Sequence, residues 1–113
     1  MAHGPDFSGV TSQAQAEALA RDGVLEAVYL LPIEFGGQDI PQNVIFAPVG
    51  TGDIKRDIDH TVIRPLVADG TITRYAANPS YDGDSFVPIS ITIVASDPGS
   101  FTTTINIWGS ALG

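Results

Sequence analysis

The sequence predicts an α+β domain: a mostly antiparallel sheet of about five strands with two helices on one face. Three observations carry that expectation. Two alternating apolar and polar runs, from Val87 to Val94 and from Thr102 to Trp108, flank Asp97-Pro98-Gly99 like the arms of a hairpin. Two upstream segments with helical spacing, over 13–22 and 53–69, each close on an Asp-Gly pair. The remaining strand candidates fall in runs instead of alternating one-for-one with helices, which favours antiparallel pairing.

Residues 1–11 are polar and small around Pro5 and are expected to form a flexible N-terminal arm, leaving 12–113 as a single domain. Ser12 followed by Gln15 has the spacing of a capping box, and Ala14, Ala16, Ala18, Leu19 and Ala20 favour the helix that Asp22-Gly23 ends. Val24 to Leu31 is apolar except for Glu26, as in a strand covered on both faces. Pro32 to Asn43, with two prolines and Gly36-Gly37, reads as a long loop, and Val44-Ile45-Phe46-Ala47 as the second strand.

Ile54, Ile58, Val62 and Leu66 recur every four residues and form one slowly drifting stripe on the second helix. Thr51 or Asp53 is expected to cap it and Asp69-Gly70 to end it. Pro65 removes one backbone donor and crowds the Thr61 carbonyl, so it kinks the helix or restarts it as a first-turn residue. Thr71 to Tyr75 is a strand, Asn78 to Ser85 a loop, and the hairpin completes the order α-β-β-α-β-β-β. Its Pro-then-Gly link predicts a type II turn.

Length and composition narrow the function classes. A chain of 113 residues that is 43% apolar and 16% charged suits one packed domain. The absence of cysteine excludes a disulfide framework, a thiolate metal site and a cysteine nucleophile. A net charge of −8 opposes nucleic acid and anionic membrane surfaces and favours a basic protein partner. No apolar run is long enough to span a bilayer, and the N-terminus lacks the basic start and apolar run of a secretory signal. A cytoplasmic location is the expectation.

Candidate chemistry is sparse. Asp53, Asp57, His60 and Arg64 share one face of the second helix, opposite the stripe. Two carboxylates and an imidazole on adjacent turns have the chemistry of an acid–base pair or of part of a metal site, but a solvated face with helical ion pairs explains the same spacing. The sequence identifies no complete metal-ligand set and no cofactor motif, neither a phosphate-binding glycine loop nor a nucleophile elbow. Tyr81-Asp82-Gly83-Asp84-Ser85 is oxygen-rich, yet it lacks the spacing of a calcium loop and reads as a turn. Phe35, between Glu34 and Asp39, sits in a loop long enough to be functional. Trp108 is either an interface anchor or a lid over the core edge.

The segments from Val28 to Gly37, Asn43 to Pro48 and Tyr81 to Pro88, with Ile105 to Trp108, resemble a group of small stand-alone bacterial proteins without an assigned activity. In size, acidity and lack of catalytic motifs the chain is also similar to small immunity proteins that neutralise a toxin. The resemblance implies the fold and carries no catalytic residue with it.

The expected function is non-enzymatic protein binding, an immunity-like inhibition of a basic bacterial protein. Its surface joins Glu34, Phe35 and Asp39 of one loop to Tyr81, Asp82 and Asp84 of the other. The alternative is a small-molecule-binding domain or small enzyme, with a pocket between the sheet and the second helix and Asp57 and His60 at work. A further alternative is a homo-oligomer paired through Thr102, Thr104 and Asn106.

Overall fold

A computed structural model describes residues 6–112, and its elements follow the expected order. Helix α1 (Gln13–Arg21) leads to strands β1 (Leu25–Tyr29) and β2 (Val44–Pro48). A helix over residues 51–68 follows, built of α2 (Thr51–Ile58), a π turn (Asp59–Ile63) and α3 (Arg64–Ala68). Strands β3 (Ile72–Ser80), β4 (Ser90–Pro98) and β5 (Ser100–Asn106) complete the fold. The class is α+β and all five strands pair antiparallel, divided between a β1–β2 sheet and a β3–β4–β5 sheet. Helices α1 and α2 pack on the first sheet, and α3 packs on β3.

Local rules account for the helix ends. Ser12 Oγ accepts from the Gln15 N–H at 3.2 Å, and Gln15 Oε1 returns the bond to the Thr11 N–H at 2.8 Å, one residue earlier than a strict capping box. At both C-termini the residue after Asp is a glycine at φ 79°. Val24 N–H reaches Leu19 O and Gly23 N–H reaches Ala20 O; Thr71 to Leu66 and Gly70 to Val67 repeat the pattern. These are paired Schellman closures, and the left-handed backbone they need is what glycine supplies.

The start of α2 is capped from a distance. Neither Thr51 nor Asp53 supplies a side-chain cap; instead Glu26 Oε2, on β1, accepts from the Gly50 and Gly52 N–H groups at 2.9 and 3.0 Å. A carboxylate at a helix N-terminus satisfies orphan donors and opposes the helix dipole. Further along, the helix is widened rather than broken. Pro65 has no N–H to give, the Arg64 N–H reaches back to the Asp59 carbonyl, and Pro65 falls in the first turn of α3.

The apolar stripe is not the fully buried face of this helix. Ile54 is 54% exposed and Ile58, Val62 and Leu66 are half-buried, whereas Thr51, Gly52, Lys55, Asp59 and Ile63 are buried. Lys55 and Asp59 neutralise each other inside, so their polarity does not force that face outward.

The hairpin forms as expected, with Ile91 opposite Ile105. Ile91 and Ile93 are wholly buried, each side chain contributing about 1.5–3 kcal/mol of burial. Its link differs from a type II turn: Asp97 takes φ 79° before a cis Asp97–Pro98 bond, while Gly99 lies tight against Thr71. Strand β3 runs through Asn78-Pro79 instead of stopping at Tyr75; as a sheet edge it has room for a residue without an N–H. Strand β1 is covered less than expected, with Ala27 and Tyr29 exposed, because a two-stranded sheet leaves part of each strand uncovered.

The arm expected over 1–11 is docked from Phe7 to Val10. Both side chains are buried, Phe7 packs edge-on against Trp108 at 6.0 Å, and the Phe86 N–H donates to the Val10 carbonyl at 2.7 Å. Two apolar residues three apart suffice to anchor an otherwise polar segment. Residues 1–5 of that arm and Gly113 lie outside the described residues. Trp108 is the lid: it is 4% exposed and its indole N–H donates to the Val87 carbonyl at 2.9 Å.

Candidate functional site

The loop from Pro32 to Asn43 separates two surfaces. Asn43 braces it, its side-chain oxygen accepting from the Leu31 N–H at 2.8 Å and its amide donating to the Leu31 and Gln38 carbonyls. Gly37 passes so close to the Leu31 carbonyl oxygen that a Cβ would sit 1.9 Å from it. The loop is therefore held as a tight double turn, Ile33–Phe35 and Pro41–Asn43, with Asp39 on one side and Glu34 and Phe35 on the other.

On the first side lies an open cleft of about 600 Å³ between α1, β2 and the 81–86 loop. Glu17, Asp39 and Asp84 contribute carboxylates, and no Lys or Arg lines it. Ile40, Tyr81 and Phe86 present exposed apolar surface in the cleft, over a wall that includes Phe46. The 81–86 loop is pinned by Ser85, whose hydroxyl donates to the Phe7 carbonyl at 2.8 Å, so the docked N-terminal segment helps to shape the cleft. Partial burial raises the Tyr81 phenol above its ordinary pKa. Desolvation and then the neighbouring Asp39 carboxylate do the same for Tyr29.

Of the six residues expected to form one binding surface, Asp39, Tyr81 and Asp84 share this cleft. Asp82 stands in the adjoining turn, its carbonyl accepting from the Ser85 N–H. Glu34 instead meets the His60 imidazole, Nε2 to Oε1 at 2.6 Å, and Phe35 packs edge-on against Tyr75 with ring centres 6.0 Å apart.

The helical polar face is dispersed in the same way. Asp53 pairs with Arg56 at 2.6 Å in full solvent, worth about 0–1 kcal/mol. The Asp57 carbonyl accepts from the Thr61 hydroxyl at 2.6 Å. His60 turns to Glu34 rather than Asp57, and Arg64 is exposed with no ion pair among the described residues. Among the described residues no three His, Asp or Glu side chains converge as a metal-binding group.

The charged cluster absent from the sequence expectations is Lys55, Asp59 and Tyr75. Lys55 Nζ donates to Asp59 Oδ2 at 2.8 Å and to the Tyr75 hydroxyl at 2.9 Å, and that hydroxyl donates to Asp59 Oδ1 at 2.7 Å. Nζ lies 2.9 Å from the Tyr75 hydroxyl oxygen and 5.5 Å from the ring centroid, so the closer contact is through the oxygen. Burial lowers the Lys55 pKa against the opposing pull of Asp59; burial, then Asp59, raises that of Tyr75. Lys55 and Asp59 stand in the wall of a second cavity, about 560 Å³, between β1, the Ile33–Phe35 turn and α2. A helical wheel contains the signal for this cluster. At about 100° per residue, Lys55 and Asp59 fall inside the arc bounded by Ile58 and Ile63.

No protein-family model, no curated protein and no solved structure matches the chain.

Proposed function

We propose that the chain is a non-enzymatic protein-binding domain, an immunity-like inhibitor of a basic bacterial protein, acting in the cytoplasm. The observation that supports it is the cleft: three carboxylates, Glu17, Asp39 and Asp84, stand around exposed Ile40, Tyr81 and Phe86 with no basic side chain among its walls. Such a surface complements a segment with an apolar anchor flanked by Lys or Arg. The net charge of −8 speeds encounter with a basic partner, while burial of the anchor between Tyr81 and Phe86 supplies most of the affinity. Among the described residues no helix is long and apolar enough to cross a membrane.

Calorimetric titration with a short basic peptide bearing one aromatic residue tests this reading. Binding is expected to weaken as salt rises and to fall about tenfold or more in Tyr81→Ala, the loss of one anchor. Asp39→Asn with Asp84→Asn reduces the salt dependence. Binding that is absent, or indifferent to all three substitutions, refutes the assignment.

The alternative, a small-molecule domain with a pocket between sheet and second helix, is supported by the cavity beside Lys55 and Asp59.

A further inference from the structure

Lys55 is the one lysine of the sequence, and its side chain is only 2% exposed. Lysine is almost never fully buried unless paired, and a buried ion pair is often no more stabilising than apolar residues of the same volume. Fold stability alone gives little reason for this placement. What distinguishes the position is its setting: Lys55 and Asp59 together form part of the wall of a cavity large enough for a small organic molecule.

The three partners are also the ones that carbonyl chemistry needs. The amine nitrogen lies 2.8 Å from a carboxylate oxygen able to take its proton and 2.9 Å from a phenol able to relay one, and phenol and carboxylate are joined at 2.7 Å. We propose that Lys55 is a Schiff-base-forming amine that captures a small aldehyde or ketone from this cavity. Asp59 takes one proton from the ammonium, and the freed nitrogen pair bonds to the carbonyl carbon while the carbonyl π pair moves to oxygen. That oxygen gains two protons, from the nitrogen and by return from Asp59 through Tyr75, and leaves as water. The product is a protonated C=N bond to Lys55. Its formation consumes one ammonium and one carbonyl compound and releases one water, with no change of oxidation state. Burial that favours the neutral amine assists the first step. The small exposed area restricts the reactant to small molecules. This inference adds a reaction class to the small-molecule reading and is independent of the acidic cleft.

Reductive trapping of the full chain with propanal and cyanoborohydride at neutral pH, followed by peptide mass mapping, reads the rate at Lys55. The N-terminal amine is the only other primary amine and maps to a different peptide. The reference is the end-blocked peptide of residues 50–60, too short to hold a helix of its own. Lys55 in the folded chain is expected to react about tenfold faster or more, a modest share of what a positioned proton acceptor supplies. A rate within a few-fold of the peptide's, or slower, is the behaviour of a purely structural ion pair and overturns the proposal. Absence of peptide binding in the acidic cleft leaves this result untouched, so failure of one reading is distinguishable from failure of the other.

Discussion

Replacing Asp59 by Asn keeps the shape of the side chain and removes the charge that faces Lys55. The two side chains are 2% and 3% exposed and 2.8 Å apart, so solvent screens the ammonium only weakly once the carboxylate is lost. Stranding one member of a buried pair costs about 3–5 kcal/mol. Two features hold the loss to the lower end: the Tyr75 hydroxyl remains 2.9 Å from Lys55 Nζ, and the stranded amine can shed its proton. A loss near 3 kcal/mol lowers the urea midpoint by roughly 2 M for a domain of this size. Trp108, the one tryptophan, is buried and reports unfolding by its fluorescence. The triple replacement Lys55→Met, Asp59→Leu and Tyr75→Phe returns stability to within about 1 kcal/mol of the parent, because it removes both desolvation penalties and leaves no unpartnered hydroxyl behind. A loss below about 0.5 kcal/mol in Asp59→Asn, the range of an ordinary surface change, refutes the buried-pair account. So does a triple variant as damaged as the single changes combined.

Three more outcomes follow from the same geometry. The Tyr75 phenol is held above its ordinary pKa by burial and then by Asp59, so below about pH 10 both states keep the proton and above it only the folded state does. Stability is therefore lost as pH rises from about 10, and Tyr75→Phe flattens the alkaline slope by less than about 1.4 kcal/mol per pH unit, the limit for one proton; urea titrations at stepped pH measure it. Gly37→Ala drives a Cβ to 1.9 Å from the Leu31 carbonyl oxygen and is expected to cost more than about 2 kcal/mol by the same titration, well outside the range of surface changes. Phe7→Ala removes a ring that is 8% exposed and packed on Trp108; a loss of about 3 kcal/mol with a red-shifted Trp108 emission is expected, whereas a loose arm gives no change.

The parts of the fold that were legible in the sequence are those decided within a few residues. Ser12 with Gln15 opens α1, Asp22-Gly23 and Asp69-Gly70 close helices, and the alternation through Ile91 and Ile105 sets the hairpin. The candidate sites were less legible because each depends on where the Pro32–Asn43 loop crosses the domain. Asp39 and Asp84 come to one cleft, and Glu34, five residues before Asp39, is turned instead to His60. The i, i+4 spacing of Lys55 and Asp59 has the form of an ordinary helical ion pair. Only its position within the apolar arc, rather than opposite it, marked it as internal.

By itself the sequence determined the α+β class, the order of elements, the net acidity and the places where the chain turns, since capping, glycine conformation and side-chain periodicity act over one or two turns. Tertiary structure decided the rest. It divided the strands into two sheets, made Glu26 the cap of a helix about 26 positions away, and pinned the Phe7 carbonyl to Ser85 across 78 positions. It also placed the single lysine inward. The cap and the pin each match a polar group to a partner far along the chain, and the lysine's site is completed by Tyr75, 20 positions away; burial of a charge is favourable only once its partners have arrived.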